Sequence, residues 1–205
     1  MIKAILFDLD GVLVKLKESH YLSLNKALKE ICNYEINFNE HLKYYDGKTT
    51  NTKLKILENR GIVKEEQKKE IWERKQFYTV ECINEFNYDD IKIEMCKRLK
   101  DDGFKIACVS NSIRDTINKI LDKIGILKYF DLILSNEDFK DRSKPNPYPY
   151  LLAFEKLNLK PNECLILEDN YNGILSARRS NGYLMEINSV DEVNYDNIKS
   201  FLNNI

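Results

Sequence analysis

The sequence predicts an α/β protein: a doubly wound parallel sheet core with an inserted helical domain. Three observations predict it. From about residue 103 onward, short apolar runs alternate with stretches of helical spacing, the rhythm of a parallel sheet with crossover helices. An earlier apolar run at residues 3–7 (KAILF) ends in acidic residues and reads as a buried strand. Between the two, residues 15–83 show helical spacing and no strand pattern. The core is therefore expected to combine residues 1–14 and 84–205, with residues 15–83 as the helical insertion.

Composition narrows the class. A chain of 205 residues can bury a sizeable core without disulfides or a structural metal. Lys and Arg number 32 against 33 Asp and Glu, so the net charge is −1 and no basic surplus points to nucleic acid. Only seven Gly and four Pro argue for helix and against a sandwich of short strands. No apolar run approaches the ~18 residues of a membrane span, and the start lacks the small-residue cleavage site of a signal peptide. Cys32, Cys82, Cys96, Cys108 and Cys164 are scattered and form no C-x-x-C pair. They fit the reduced thiols of a cytoplasmic protein.

In the insertion, helices are expected over 16–32, 50–59 and 64–83. Leu24, Ala27, Leu28 and Ile31 recur at helical steps in the first, and Gly61 separates the other two. Trp72, Phe77 and Tyr78 are expected to pack the helical core. A helix over 91–102 follows, with Ile91, Met95 and Leu99 on one stripe, then a strand over 105–109. Helix 112–124 is expected to start on Ser112 as N-cap and to end at Gly125. Strand 132–134, the loop SKPNPYP, helix 150–157, strand 164–167, helix 173–180, strand 183–186 and a last amphipathic helix complete the alternation.

Open α/β sheets bind ligands at the carboxyl ends of their strands. Asp8 and Asp10 follow the first strand, Ser110 and Asn111 the second, the loop holding Lys144 the third, and Glu168 with Asp169 the fourth. Asp8 and Asp10, two apart on extended backbone, face one side. Neighbouring carboxylates repel unless a cation lies between them or one keeps its proton. An oxygen-only ligand set suits Mg²⁺, and Asp169 can add a carboxylate from a neighbouring strand. Ser110 precedes a helix whose N–H groups suit phosphate oxygens, and Lys144 offers the same phosphate a positive charge.

In order, FDLDGVLV, VSNS, SKPNPYPYLLA and LILEDNYNG resemble the four motifs of the haloacid dehalogenase-like hydrolases. The closer similarity is to the subgroup with a small helical cap, which includes phosphoglycolate phosphatase and β-phosphoglucomutase. It covers residue 3 to about 185 and implies a Rossmann-like core, with the insertion as the cap. By this resemblance, Asp8 is the nucleophile that forms an aspartyl-phosphate. Asp10 is the general acid and then base, its backbone carbonyl also ligating Mg²⁺. Asp169 is a further metal carboxylate, and Glu168 a ligand or a neighbour of one. Ser110 and Asn111 hold the phosphate, and Lys144 orients Asp8 and neutralises the transferring phosphoryl group.

Gly47-Lys48-Thr49 is not a P-loop, because the glycine that pattern needs five residues earlier is Leu42. In the resemblance this segment is the cap loop, which makes Lys48, Thr49 and Lys53 candidate specificity residues. His20 lies on the first cap helix and is a candidate proton relay or a structural residue. Gly173 is expected to be a close-packing or turn glycine. The chain departs from the family pattern at Lys15 and Leu16, in a cap loop without an evident Arg, around Asp89, and at Asn170 where Ser is usual.

The expected function is a cytoplasmic, Mg²⁺-dependent phosphatase of a small phosphorylated metabolite, a monomer or weak dimer with no nucleic-acid or membrane partner. The alternatives are a β-phosphoglucomutase-like phosphosugar mutase, a phosphonate hydrolase using a cap lysine, and a catalytically silent phosphometabolite-binding module.

Overall fold

The computed structural model describes residues 1–205. In chain order the elements are β1 (Ala4–Phe7), α1 (Lys17–Cys32), α2 (Phe38–Tyr44), α3 (Thr50–Asn59), α4 (Lys68–Ile83), α5 (Asp90–Asp101), β2 (Lys105–Val109) and α6 (Arg114–Lys123). There follow β3 (Leu132–Leu134), α7 (Asn136–Phe139), α8 (Tyr148–Leu157), β4 (Cys164–Glu168), α9 (Tyr171–Ser180), β5 (Tyr183–Glu186) and α10 (Tyr195–Leu202). The chain divides into two compact units, Met1–Lys15 with Phe86–Ile205, and Leu16–Glu85.

The first unit is a Rossmann-like α/β layer structure around a parallel sheet of five strands in the order β3-β2-β1-β4-β5. Strands β1 and β4 are buried along their whole length, as strands covered on both faces must be. Each large side chain there contributes about 1.5–3 kcal/mol of burial. The register pairs Phe7 with Cys108 on one side and Leu167 on the other, so Asp8, Val109 and Glu168 emerge together at one sheet edge. Asp89 caps α5 by accepting from Lys92 N at 3.0 Å. The buried Lys92 ammonium donates to Val190 O at 2.8 Å and Val193 O at 2.7 Å, tying down the segment before α10.

The second unit is all helical. Leu24, Ala27 and Leu28 of α1 pack with Leu54 and Leu57 of α3 and Ile71 of α4. Thr49 caps α3, its Oγ1 accepting from Thr52 N at 3.2 Å.

Several local expectations change. Residues 64–83 are not one helix: a 3-10 turn at Glu65–Gln67 precedes α4, with Gln67 Oε1 accepting from Lys64 N. The sequence signals missed α2 and α7, both too short for a periodic stripe. Trp72 and Tyr78 pack against the helical core, but Phe77 is exposed and stacks edge-on to Tyr78. Ser112 does not cap α6. Its backbone N–H donates to Ser110 Oγ, and Ile113 holds the cap position, while Glu137 Oε2 accepts from Arg114 N at 3.0 Å. A carboxylate from the next loop thus supplies the acceptor a cap residue would have given.

Candidate active site

The sheet's carboxyl edge and the loop before α8 bring together four charged groups. Oxygens of Asp8, Glu168 and Asp169 lie within 4.8 Å of one another. Lys144 Nζ donates to Asp8 Oδ1 at 2.7 Å, to Glu168 Oε1 at 2.5 Å and to Val109 O at 2.7 Å. Asp8, Lys144 and Glu168 are all buried. Asp8 keeps its place through its own N–H, which donates to Leu167 O. Glu168, unplaced by sequence between ligand and neighbour, converges with the two aspartates. Asp10 instead lies half-buried past Asp8, where the chain has left the strand and turned back, Val14 N donating to Leu9 O.

Ser110 is buried at the end of β2, its Oγ accepting from Ser112 N at 3.2 Å. The N–H groups of Ser112 and Arg114, expected at an open helix start, are thus engaged by the protein itself. Asn111 turns its amide to the backbone of Lys144. Its Oδ1 accepts from Lys144 N at 3.1 Å and its Nδ2 donates to Lys144 O at 3.3 Å. The asparagine therefore docks the Pro-rich loop.

The electrostatics follow from burial and from the charges the groups exert on one another. Burial, aided by the charges of Glu168 and Asp169, pushes the Asp8 carboxyl well above its ordinary range, against the pull of Lys144. Burial works against the Lys144 ammonium, but Asp8 and Glu168 outweigh it and hold the lysine above its usual range. One ammonium is shared by two buried carboxylates, Asp8 and Glu168, with Asp169 beside them.

A divalent cation fits this donor set, which is made of carboxylate oxygens alone. Two glycines keep room beside the cluster. A Cβ on Gly11, at φ +88°, would stand 2.0 Å from Asp169 Oδ2. One on Gly173, in the first turn of α9, would stand 2.0 Å from the Glu168 carboxyl. Asn170 does the capping work of the usual serine, accepting from Gly173 N at 3.1 Å.

In the helical unit, Lys53 is buried, while Lys48 and Thr49 are half-buried in the turn before α3. The Thr49 hydroxyl is engaged with Thr52. His20 lies on α1, its Nδ1 buried without a hydrogen-bond partner. Burial, then Lys75 and Lys53, push its imidazole well below its ordinary range. His41 behaves alike, depressed to about 4 by burial, Lys53 and Lys75. His20, His41, Lys53 and Lys75 thus form one electrostatic neighbourhood. Sequence reasoning missed His41 and Lys75, which carry no motif. It also missed Tyr150, whose hydroxyl donates to Glu168 Oε1 at 2.6 Å.

The sequence matches the family model of the haloacid dehalogenase-like hydrolases over residues 2–181. It is 33% identical to a phosphoglycolate phosphatase of Aquifex aeolicus, over 87% of this chain and 81% of that protein. It is 30% identical to the pyrophosphatase PpaX of Oceanobacillus iheyensis, over 98% of this chain and 89% of that one. Among solved structures, a β-phosphoglucomutase from Clostridium difficile superposes with a TM-score of 0.85 at 25% identity, covering 100% of this chain and 98% of that one.

Proposed function

This chain belongs to the haloacid dehalogenase-like hydrolase family, and on that premise we propose that it is a Mg²⁺-dependent phosphatase of a small phosphorylated metabolite, working through an aspartyl-phosphate on Asp8. The observation that carries the reading is the buried Asp8 carboxylate held by Lys144 beside Glu168 and Asp169. The phosphatase and pyrophosphatase names of the relatives support the reaction class.

Asp8 attacks phosphorus, forming an Asp8 O–P bond as the ester P–O bond breaks. Asp10 gives its proton to the departing alkoxide. Water then attacks phosphorus, Asp10 takes its proton, the Asp8 O–P bond breaks, and phosphate leaves. Lys144 keeps Asp8 in place and offsets charge on the phosphoryl oxygens, while Ser110 and the Asn111 segment hold them. Asp8, Asp169, Glu168 and the Asp10 carbonyl would hold Mg²⁺, which when bound offsets the charge of both the carboxylates and the phosphoryl group. Substrate selection is assigned to the helical unit through His20, Lys48, Thr49 and Lys53, as the family resemblance implies.

A panel of phosphorylated metabolites, assayed for phosphate release with wild type and Asp8→Asn in parallel, tests this. Wild type is expected to release phosphate only with Mg²⁺, and Asp8→Asn to lose activity while keeping its melting temperature. Full Mg²⁺-dependent activity in Asp8→Asn would overturn the mechanism. Conversion of a sugar 1-phosphate to the 6-phosphate, dependent on a bisphosphate, would show transfer to a sugar hydroxyl in place of water.

A further inference from the structure

Tyr150 has no part in the reaction just described, yet it touches two of the charged groups at its centre. It lies on α8, six residues after Lys144, and is fully buried. Its hydroxyl donates to Glu168 Oε1 at 2.6 Å, and the Lys144 ammonium sits 4.9 Å from its ring centroid. The phenol O–H is the donor in this contact and the carboxylate the acceptor.

The Lys144 ammonium has three N–H groups, directed at Asp8, Val109 O and Glu168. One cation therefore serves two buried carboxylates. Tyr150 reaches the same Glu168 oxygen that Lys144 does, whereas Asp169 N donates to the other, Oε2, at 3.3 Å. With two donors on Oε1, the Glu168 carboxylate is fixed in rotation and less dependent on Lys144.

We propose that Tyr150 is a positioning residue: its hydroxyl joins the Lys144 ammonium on Glu168 Oε1 and so fixes the orientation in which the Glu168 carboxylate meets the metal cluster. This rests on the reading of Asp8, Glu168 and Asp169 as the Mg²⁺ cluster. A residue that merely filled space would act through its ring. The proposal assigns the effect to the hydroxyl and routes it through Glu168.

The test is a double-mutant cycle with wild type, Tyr150→Phe, Glu168→Gln and the double variant. Mg²⁺ is titrated calorimetrically into each protein without substrate, and kcat and KM are measured on a phosphate ester that wild type hydrolyses. Tyr150→Phe keeps the ring and is expected to keep the fold. It should weaken Mg²⁺ binding roughly tenfold and lower kcat with KM unchanged. In the Glu168→Gln background the same change should add nothing. Unchanged Mg²⁺ affinity in Tyr150→Phe, or an equal loss in both backgrounds, would overturn the role of Tyr150 alone. Failure of wild type to bind Mg²⁺ would overturn the metal reading, and this inference with it.

Discussion

Lys144 and Asp8 stand 136 residues apart in the chain and form a buried ion pair, Nζ to Oδ1 at 2.7 Å. The pair exists because β1 delivers the aspartate at the sheet edge and the loop before α8 reaches back over it. Removing the lysine leaves Asp8 and Glu168 buried without their shared cation, whereas neutralising Asp8 leaves Lys144 paired with Glu168. Lys144→Met should therefore abolish phosphate release and destabilise the fold by about 3–5 kcal/mol in urea unfolding. Lys144→Arg should not restore activity, because a planar fork cannot reproduce three divergent donors.

Asn111 holds the backbone of that lysine through two hydrogen bonds. Asn111→Ala removes both. It should lower stability by about 1–2 kcal/mol and reduce kcat more than it raises KM, since the loop still reaches Asp8 but no longer in one position. Steady-state kinetics together with urea unfolding checks this.

Gly173 lies in the first turn of α9, where alanine would ordinarily favour the helix by roughly 0.5–1 kcal/mol. Here the added Cβ meets the Glu168 carboxyl at 2.0 Å, so something must move. Gly173→Ala should weaken Mg²⁺ binding in calorimetric titration without a gain in melting temperature. A more stable variant with intact Mg²⁺ affinity would contradict the contact.

The helical unit should be acid-sensitive. His41 is buried with both ring nitrogens unpartnered, and burial, Lys53 and Lys75 depress it to about 4. An unfolded histidine titrates near 6.5. Between those values the unfolded chain binds the extra proton, so stability is present above about 6.5 and is lost as pH falls toward 4. The melting temperature should fall over that window, and His41→Phe should flatten the decline.

Legibility in the sequence differed from residue to residue. Asp8, Ser110, Glu168 and Asp169 stood out because each follows an apolar run, and the end of such a run marks the sheet edge. Asn111 was legible as a site position but not as a clamp on Lys144, because that contact depends on how a distant loop lies. Tyr150 reads locally as one more apolar helix position. Helix α2 (FNEHLKY) has too few residues and too mixed a character to show periodicity.

By itself, then, the sequence determined the α/β class, the helical insertion and the strand-end acids, since strand, helix and turn patterns are local and each marks its own position. Only the tertiary structure decided which charges share a cluster. Lys144 meets Asp8 and Glu168 across 136 and 24 residues, and Glu168 converges with Asp8 and Asp169. In a buried site, through-space distance sets the energy of charged groups, and no local pattern encodes it.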